Sequence, residues 1–422
     1  MARIDAVPSA DMPITAADGT PLKKKLAQAL FRSRLRATGL VLPLLAFVMA
    51  SFVIPILALM WQGVYNDTFA RYTPNLTQEL QKWDGVSQPS EEMFVALVAD
   101  IKIARKDKTI GRIATRVNQE LPGTRSLFTS TARKVKRATP PYAESMVKIN
   151  KKWGQLDVWQ AMKLTSQSLT PGFYATSLDK KYTVDQGFIN QVENRQIYVK
   201  LFWRTLLISG SVMLLCLLLG YPVAYLLATL PLRYSNLLMI MVLLPFWTSL
   251  LVRTTAWIAI LQSQGVVNDV LVWIGITGDE SRFSLIYNMT GTIIAMTHIL
   301  LPFMILPLYS VMKTIPSSYM RAARSLGATP TRAFLKIYMP QTIPGVGAGC
   351  LLVFILAIGY YITPALVGGQ DGQLISNMIA YHMQKSLNWS LAAALGGILL
   401  AGVLFLYWAY DRIIGIDNMK LG

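Results

Sequence analysis

Apolar residues dominate six stretches of the chain, and each stretch is long enough to cross a bilayer. The stretches cover residues 39–62, 201–229, 236–262, 286–312, 346–367 and 391–415. A hydrocarbon core needs about 20 apolar residues in a helix, and an isolated strand in lipid leaves its backbone groups unpaired. The pattern therefore predicts an all-α membrane protein with six transmembrane helices.

A long polar stretch separates the first two apolar stretches. Within it, Met93, Leu97 and Ile101 recur at the spacing of one helix face. Proline and glycine interrupt the pattern at Pro140-Pro141 and Pro171-Gly172. The pattern predicts a helical insertion with its own core, and a loosely ordered insertion is the alternative. The predicted organisation is a tail at 1–38, a first transmembrane helix at 39–62, the insertion at 63–199 and a five-helix permease core at 200–422.

Charge in the short links sets the orientation of the spans. Residues 313–345 carry five Lys and Arg and no Asp or Glu, and the link around Arg233 is also basic. Short basic links stay in the cytoplasm, whereas links longer than about 60 residues cross the membrane largely regardless of charge. Both termini are therefore expected in the cytoplasm, and the insertion is expected outside it.

Composition excludes several classes of protein. The chain is 53% hydrophobic and 15% charged, whereas soluble domains carry about a quarter charged residues. A net charge of +18 is spread over tails and loops, which indicates contact with the lipid membrane and no nucleic-acid partner. Cys216 and Cys350 both lie in apolar stretches, so they form no disulfide framework.

The sequence carries no set of residues that predicts catalysis. It has no Gly-x₄-Gly-Lys-Ser/Thr run to cradle ATP, and no His, Cys or Asp cluster at metal spacing. His298 lies in an apolar stretch, where a lone histidine suits either a functional or a packing role and packing is favoured. His382 lies in an outer link. We expect a transport subunit with no metal and no cofactor of its own, and not an enzyme.

The second basic link has the pattern of a helix–turn–helix. Ser317 or Ser318 is expected to cap the first helix, and Gly327 suits the left-handed residue that ends it. Thr329 and Pro330 then suit the cap and first position of a second helix. That helix is expected to end where Pro340 and Pro344 interrupt it.

The spacing Ala322-Ala323-x₃-Gly327-x₉-Ile337-x-Met339-Pro340 resembles the EAA loop of ABC importer permeases. Runs such as residues 244–254 and 363–369 resemble the spermidine/putrescine branch of that family. The resemblance implies that the loop is a coupling helix that docks on an ATPase. The residues so implied are Arg321, Ala322, Ala323, Leu326, Gly327, Ala328, Ile337 and Pro340. The usual Glu of the loop falls on Arg321, so no salt bridge of that Glu is transferred.

The resemblance implies an assembly in the inner membrane of a bacterial cell. Its partners are a second permease subunit, two ATPase subunits that use ATP, and an extracytoplasmic solute-binding protein. The expected solute is small, and polyamine-like or another organic cation. The alternative is a secondary transporter driven by an ion gradient, for which internal symmetry and intramembrane carboxylates are typical.

For two further groups of residues, the sequence leaves two possible roles open. Aromatic residues near span ends suit either a lining for a cationic solute or an interfacial belt, and Arg253 suits a solute contact or a snorkelling anchor. These pathway candidates are Trp247, Arg253, Trp257, Tyr360 and Tyr361. Gly345 and Gly349 have the small-x₃-small spacing of close helix packing, either against a second permease subunit or within one subunit.

Overall fold

The computed structural model describes residues 22–184 and 186–414. The described part is mostly helical, with one two-stranded antiparallel sheet. The chain divides into two compact units, Met1–Leu59 and Met60–Gly422. The first 21 residues of the predicted tail, and the end of the predicted sixth span at residue 415, lie outside the described residues.

The first unit is a long helix that is basic in its first half, from Lys23 to Arg36, and apolar from about Gly39. It comprises α1 (Leu22–Val48), a π-helical turn (Met49–Val53) and the start of α2 (Ile54–Gln62). The candidate span within it runs from Ser33 to Gln62, and none of its most apolar window is buried. An apolar helix without buried residues suits contact with lipid or with another subunit.

The segment that follows is built from eight helices and a hairpin. The helices are α3 (Thr68–Tyr72), α4 (Pro74–Lys82), α5 (Glu91–Lys106), α6 (Ile110–Glu120), α7 (Thr124–Lys134), α8 (Tyr142–Ile149), α9 (Leu156–Ser166) and α10 (Gly172–Ser177). The hairpin pairs β1 (Lys180–Thr183) with β2 (Gly187–Asn190). This segment contains no candidate membrane span among its described residues.

Two tryptophans lie at the centre of the segment's own hydrophobic core. Trp153 and Trp159 are fully buried and pack edge-to-face on Phe128 and Phe94, respectively. The indole of Trp153 donates to the Thr131 hydroxyl at 2.9 Å, and that of Trp159 donates to the Trp153 carbonyl at 2.8 Å. Because buried N–H groups are costly without partners, these bonds specify one arrangement of the core.

Two buried or bridging carboxylates tie the helices of this segment together. Asp100 of α5 is fully buried and accepts from the Leu76 amide at the start of α4, at 2.8 Å. Glu91 accepts from the amides of Tyr142 and Ala143 at the start of α8. A carboxylate at a helix N-terminus satisfies free N–H groups and complements the helix dipole.

The remaining helices carry most of the apolar length of the chain. They are α11 (Tyr198–Thr229), α12 (Leu232–Leu243), α13 (Leu250–Leu261), α14 (Val266–Trp273), α15 (Met289–Thr314), α16 (Ser317–Ser325), α17 (Pro330–Ala333), α18 (Met339–Gln341), α19 (Ile343–Gly359), α20 (Ile362–Val367), α21 (Ile375–Gln384) and α22 (Trp389–Ile414). Within the described residues, five helices are long and apolar enough to span a membrane, or six if one bent pair counts as a span.

The predicted continuous third span at 236–262 is wrong. Helix α12 ends at Leu243, a 3₁₀ turn follows at Leu244–Trp247, and α13 begins only at Leu250. Pro245 has no amide hydrogen to continue the helix, and Thr248 is extended. The candidate span in this region is instead Leu250–Trp273.

The predicted fifth span at 346–367 is likewise divided. Helix α19 ends at Gly359, Tyr360 is extended, and α20 starts at Ile362. At its other end, α19 meets the preceding helical stretch Pro330–Gln341 at an angle of 59°. The break falls at Tyr360 and the bend at Thr342, so the apolar stretch of the sequence is not one straight helix.

Helices α11, α15 and α19 form the packed centre of the membrane part. A Cβ atom on Gly349 would lie 2.7 Å from the Met304 sulfur, and one on Gly345 would lie 3.0 Å from Val311. Gly220 of α11 approaches Met304 in the same way, at 3.2 Å. The small-x₃-small pair in α19 therefore packs against α15 of its own chain, which decides between the two alternatives for Gly345 and Gly349.

Candidate functional site

Helix α16 begins differently from the sequence prediction. The cap position is Pro316, and no side chain caps the helix, because Ser317 and Ser318 already lie within it. The Ser317 hydroxyl instead accepts from the Arg321 guanidinium at 2.9 Å. The predicted serine cap is therefore wrong, and Ser317 fixes an arginine one turn further along.

The turn after α16 follows the predicted pattern. Gly327 has a φ of +88°, in the left-handed region that favours glycine. The Thr329 hydroxyl accepts from the Arg332 amide, and Pro330 opens α17. Pro340, however, lies inside the continuing helical stretch, and the chain bends at Thr342 instead.

The predicted coupling residues form an exposed tip. Leu326 is 89% exposed, so nearly its whole apolar side chain is available for contact with a partner. Arg321 and Ala322 are exposed beside it, and Ala323 and Ala328 are half-buried. Ile337 and Pro340, further along the link, are also exposed.

An aromatic cluster that no sequence pattern predicted lies behind this tip. Tyr225 of α11 packs edge-to-face on Phe334 and on Tyr338, with ring centroids 5.4 and 5.3 Å apart. Phe334 and Tyr338 begin and end a π-helical turn, a feature frequent at functional sites. A cavity of about 700 Å³ next to these rings is also lined by Lys313 and Arg321. The link is thereby anchored to α11.

Part of the predicted pathway set comes together around His298. The Trp257 indole donates to Nδ1 of His298 at 3.1 Å, and the two rings meet edge-to-face. Arg253 lies one turn before Trp257 on the same face of α13, and Tyr360 is half-buried at the end of α19. The sequence favours a packing role for His298 over a functional one, and the hydrogen bond from Trp257 is compatible with both roles.

The other predicted pathway residues lie on more open surfaces. Trp247 is 81% exposed, in the 3₁₀ turn before α13. Tyr361 is 40% exposed, in the break between α19 and α20. High exposure in this unit suits an interface or lipid contact as well as a pathway.

The break between α19 and α20 is stabilised by α21. In this break, the Tyr360 carbonyl accepts from the Ser376 hydroxyl at 2.6 Å, and the Tyr361 carbonyl accepts from the side-chain amide of Asn377 at 2.8 Å. Broken helices at membrane depth persist only where the freed backbone groups find such partners. Arg204 holds the neighbouring loop by donating to the Gln370 carbonyl at 2.7 Å.

His382 of α21 is buried between two hydroxyls. Its Nε2 lies 2.9 Å from the Tyr198 hydroxyl and its Nδ1 lies 2.8 Å from that of Ser386. Burial lowers the pKa of His382, since it disfavours the charged ring. Within the described residues, no group of three or more His, Cys, Asp or Glu is arranged to hold a metal ion.

Comparison with known proteins identifies the family that shares this architecture. Residues 217–414 match the family described as the binding-protein-dependent transport system inner membrane component. The chain is 34% identical over 221 residues to the spermidine/putrescine transport system permease protein PotB of Haemophilus influenzae, covering 52% of this chain and 77% of that relative. The chain therefore belongs to this family.

Two relatives from Escherichia coli, both permease proteins, have a similar degree of identity to this chain. PotB of that species is 34% identical over 241 residues, covering 54% of this chain and 87% of the relative. The inner membrane ABC transporter permease protein YdcU is 32% identical over 227 residues, covering 50% and 70%. The chain is thus an inner-membrane permease component of a binding-protein-dependent ABC importer, and it is not itself a catalytic enzyme.

Proposed function

We propose that this chain forms part of the path by which a small solute, delivered by a soluble binding protein, enters the cell at the expense of ATP. ATP hydrolysis takes place on two separate ATPase subunits, and a second permease completes the path. The observation that carries this proposal is the exposed tip at Leu326, displayed on a basic helix with no acidic residue in its link.

The proposed topology places both termini and the link 313–345 in the cytoplasm. The positive-inside rule supports it, because five Lys and Arg in that link lack any acidic neighbour in sequence. The segment 63–199 then lies outside, where a binding protein would arrive. In this orientation the Leu326 tip faces the ATPases.

Leu326 and the small residues Ala322 and Ala323 would enter a groove on the ATPase. Closure of the ATPase pair would then pull on α16, and the aromatic contacts of Phe334 and Tyr338 with Tyr225 would pass the movement to α11. A rigid, packed connection is what such transmission requires, since packed elements move as units. The bend at Thr342 lets α19 respond separately from this unit.

The solute proposed is a polyamine or another organic cation. Its support is the similarity to permeases named for spermidine and putrescine, together with the aromatic faces of Trp257 and Tyr360, which attract cations. The candidate spans carry few carboxylates, Asp269 and Asp411, and Asp269 pairs with Arg282 at 2.7 Å. Recognition would therefore rest on aromatic rings and on carbonyls such as those of Tyr360 and Tyr361.

Purification in mild detergent, followed by uptake assays, tests the proposal. We expect an ATPase and a second permease to co-purify, and ATP-dependent uptake of labelled putrescine or spermidine by reconstituted vesicles. Arg321→Glu with Arg324→Glu should lower both ATPase recovery and uptake. Unchanged recovery and uptake in that variant would contradict the coupling role, and a chain that transports alone would favour a secondary transporter.

A further inference from the structure

One part of the 63–199 segment is far more basic than the rest of the chain. Residues 102–152 contain 14 Lys and Arg and three Asp and Glu, an excess of 11 positive charges. No proposed catalytic or pathway residue lies in this range. The positive-inside rule does not explain the excess of positive charge. That rule applies to short cytoplasmic links, whereas the proposed topology places this range outside the cytoplasm.

Contacts between helices join six of these cations into one surface, here called the basic face. The Arg105 guanidinium of α5 donates to the Arg133 carbonyl at the end of α7, and the Lys102 ammonium lies 5.8 Å from the centre of the Tyr142 ring in α8. A cavity of about 430 Å³ between α7 and α8 is lined by further cations. The basic face consists of Lys102, Arg105, Arg133, Lys134, Arg137 and Lys148.

Little negative charge within the described residues neutralises this face. Glu144 is 3.9 Å from Lys148, and both side chains are more than 70% exposed, so the pair is weak in water. Glu91 lies nearby, but its carboxylate accepts from the amides of Tyr142 and Ala143. The other five cations have no carboxylate within 4 Å in the described part of the chain.

The helices that carry the basic face are held together by the hydrophobic core of the segment. Phe128 and Thr131 of α7 hold Trp153 by ring packing and by a hydrogen bond. Glu91 joins the start of α8 to α5. The charges are therefore presented in a fixed arrangement, which lowers the entropy lost when a partner binds.

The face carries too little apolar surface to enter a lipid bilayer. Ile103, 52% exposed between Lys102 and Arg105, is the one markedly exposed large hydrophobic residue at positions 96–168 of the described chain, whereas interfacial membrane binding needs a larger buried apolar area besides positive charge. Charge without apolar anchors is typical of protein surfaces that steer a partner of opposite charge during encounter.

We infer that the basic face receives an acidic surface of the soluble solute-binding protein; this rests on the proposed function and specifies the chemistry of one of its partners. The contact is electrostatic, forms quickly and is sensitive to salt. It brings the loaded binding protein to the membrane part before solute release. The cavity between α7 and α8 is lined by three cations and by Glu144, and it has room for an acidic side chain beside Lys134 and Arg137.

A photoreactive amino acid placed at Lys134 or Lys148 of the full chain in native membranes is the first test. We expect it to capture a soluble, exported protein with a net negative charge. That protein, purified, is then titrated against the reconstituted transporter. Raising salt from about 50 to 200 mM should weaken binding several-fold, since screening acts on exposed charges.

Charge reversal provides the second test. Arg133→Glu with Arg137→Glu should weaken binding at least about tenfold, mainly through slower association. The matched control, Lys180→Glu with Arg195→Glu, makes the same charge change at exposed positions of the hairpin region and should alter binding less than about twofold. Arg133→Gln with Arg137→Gln avoids acidic residues at the end of α7 and should give an intermediate loss.

Three outcomes would overturn the inference: capture of lipid or polysaccharide alone, capture of nothing, or equal binding by the reversed and parental chains. The importer assignment stands separately. Suppose that the Arg133 and Arg137 variants co-purify with the ATPase, transport solute at the parental rate and bind the binding protein with parental affinity. The importer assignment would then be correct, and the basic face would not be the docking site of the binding protein.

Discussion

The Trp257 indole donates a hydrogen bond to Nδ1 of His298 at 3.1 Å. An indole N–H is only a donor, so Nδ1 accepts and the ring proton lies on Nε2. The bond joins α13 to α15, two helices of the membrane part, one turn from Arg253. It fixes the orientation of the His298 ring.

A double-mutant cycle measures this bond. Trp257→Phe and His298→Ala each remove it, and the loss of one hydrogen bond costs about 0.5–1.5 kcal/mol. We expect the double variant to be less destabilised than the sum of the single variants by about that amount, as measured by denaturation in detergent. Full additivity would show that the two side chains are not coupled. If the cluster contacts solute, each single variant should also raise the solute concentration for half-maximal uptake.

Gly327 should be intolerant of a side chain for reasons of backbone alone. No atom lies within 4 Å of a Cβ built at this position, so there is no clash, but φ is +88°. Gly327→Ala should therefore cost about 1–2 kcal/mol locally. Hydrogen exchange of the amides in 317–338 should accelerate about 5- to 30-fold.

Gly210 is the matched control for that substitution. A Cβ there also meets nothing within 4 Å, but the residue lies in the regular helix α11 without a positive φ. Gly210→Ala should leave stability unchanged or raise it by up to about 1 kcal/mol. Equal effects of the two substitutions would contradict the assignment of Gly327 as the closing residue of α16.

Leu326→Ser should separate docking from folding. The side chain is 89% exposed, so its loss should change the free energy of unfolding by no more than about 0.5 kcal/mol. Affinity for the ATPase should nevertheless fall, because the apolar contact in the proposed groove is lost. Val86→Ser, at a residue 63% exposed in the insertion, is the control and should leave ATPase recovery unchanged. Parental ATPase affinity in the Leu326 variant would contradict docking through this tip.

Acid should destabilise the protein through His382. Burial lowers the pKa of this ring below its ordinary value of 6.5. Between the two pKa values the unfolded chain binds more protons than the folded one, so stability rises with pH. The contribution is fully present above pH 6.5 and is lost as pH falls from that value through the lower pKa of the folded protein, with a slope of at most about 1.4 kcal/mol per pH unit.

His382→Gln tests that dependence. Glutamine keeps a donor and an acceptor for Tyr198 and Ser386 but does not titrate. Thermal denaturation between pH 5 and 7 should show a flatter profile for the variant than for the parent. Identical profiles would mean that another group controls stability in this range.

Local patterns predicted the turn of the basic link correctly, but not the start and end of its helices, and no local pattern predicts distant contacts. Thr329 as a cap and Gly327 as a left-handed residue follow from steric and hydrogen-bonding rules within a few positions. The serine cap failed because the helix starts one residue earlier, at Ser317. The packing of Tyr225 on Phe334 joins residues more than 100 positions apart, and no local rule brings them together.

The sequence by itself determined that this is a helical membrane protein of the importer permease class, because apolar length, charge in short links and the spacing of the EAA-like loop are all local. Only the tertiary structure decided where the apolar stretches break. Helix α19 stops at Gly359 because Ser376 and Asn377 of α21 satisfy the carbonyls of the break. A broken helix in an apolar setting is stable only when such partners arrive from another part of the chain.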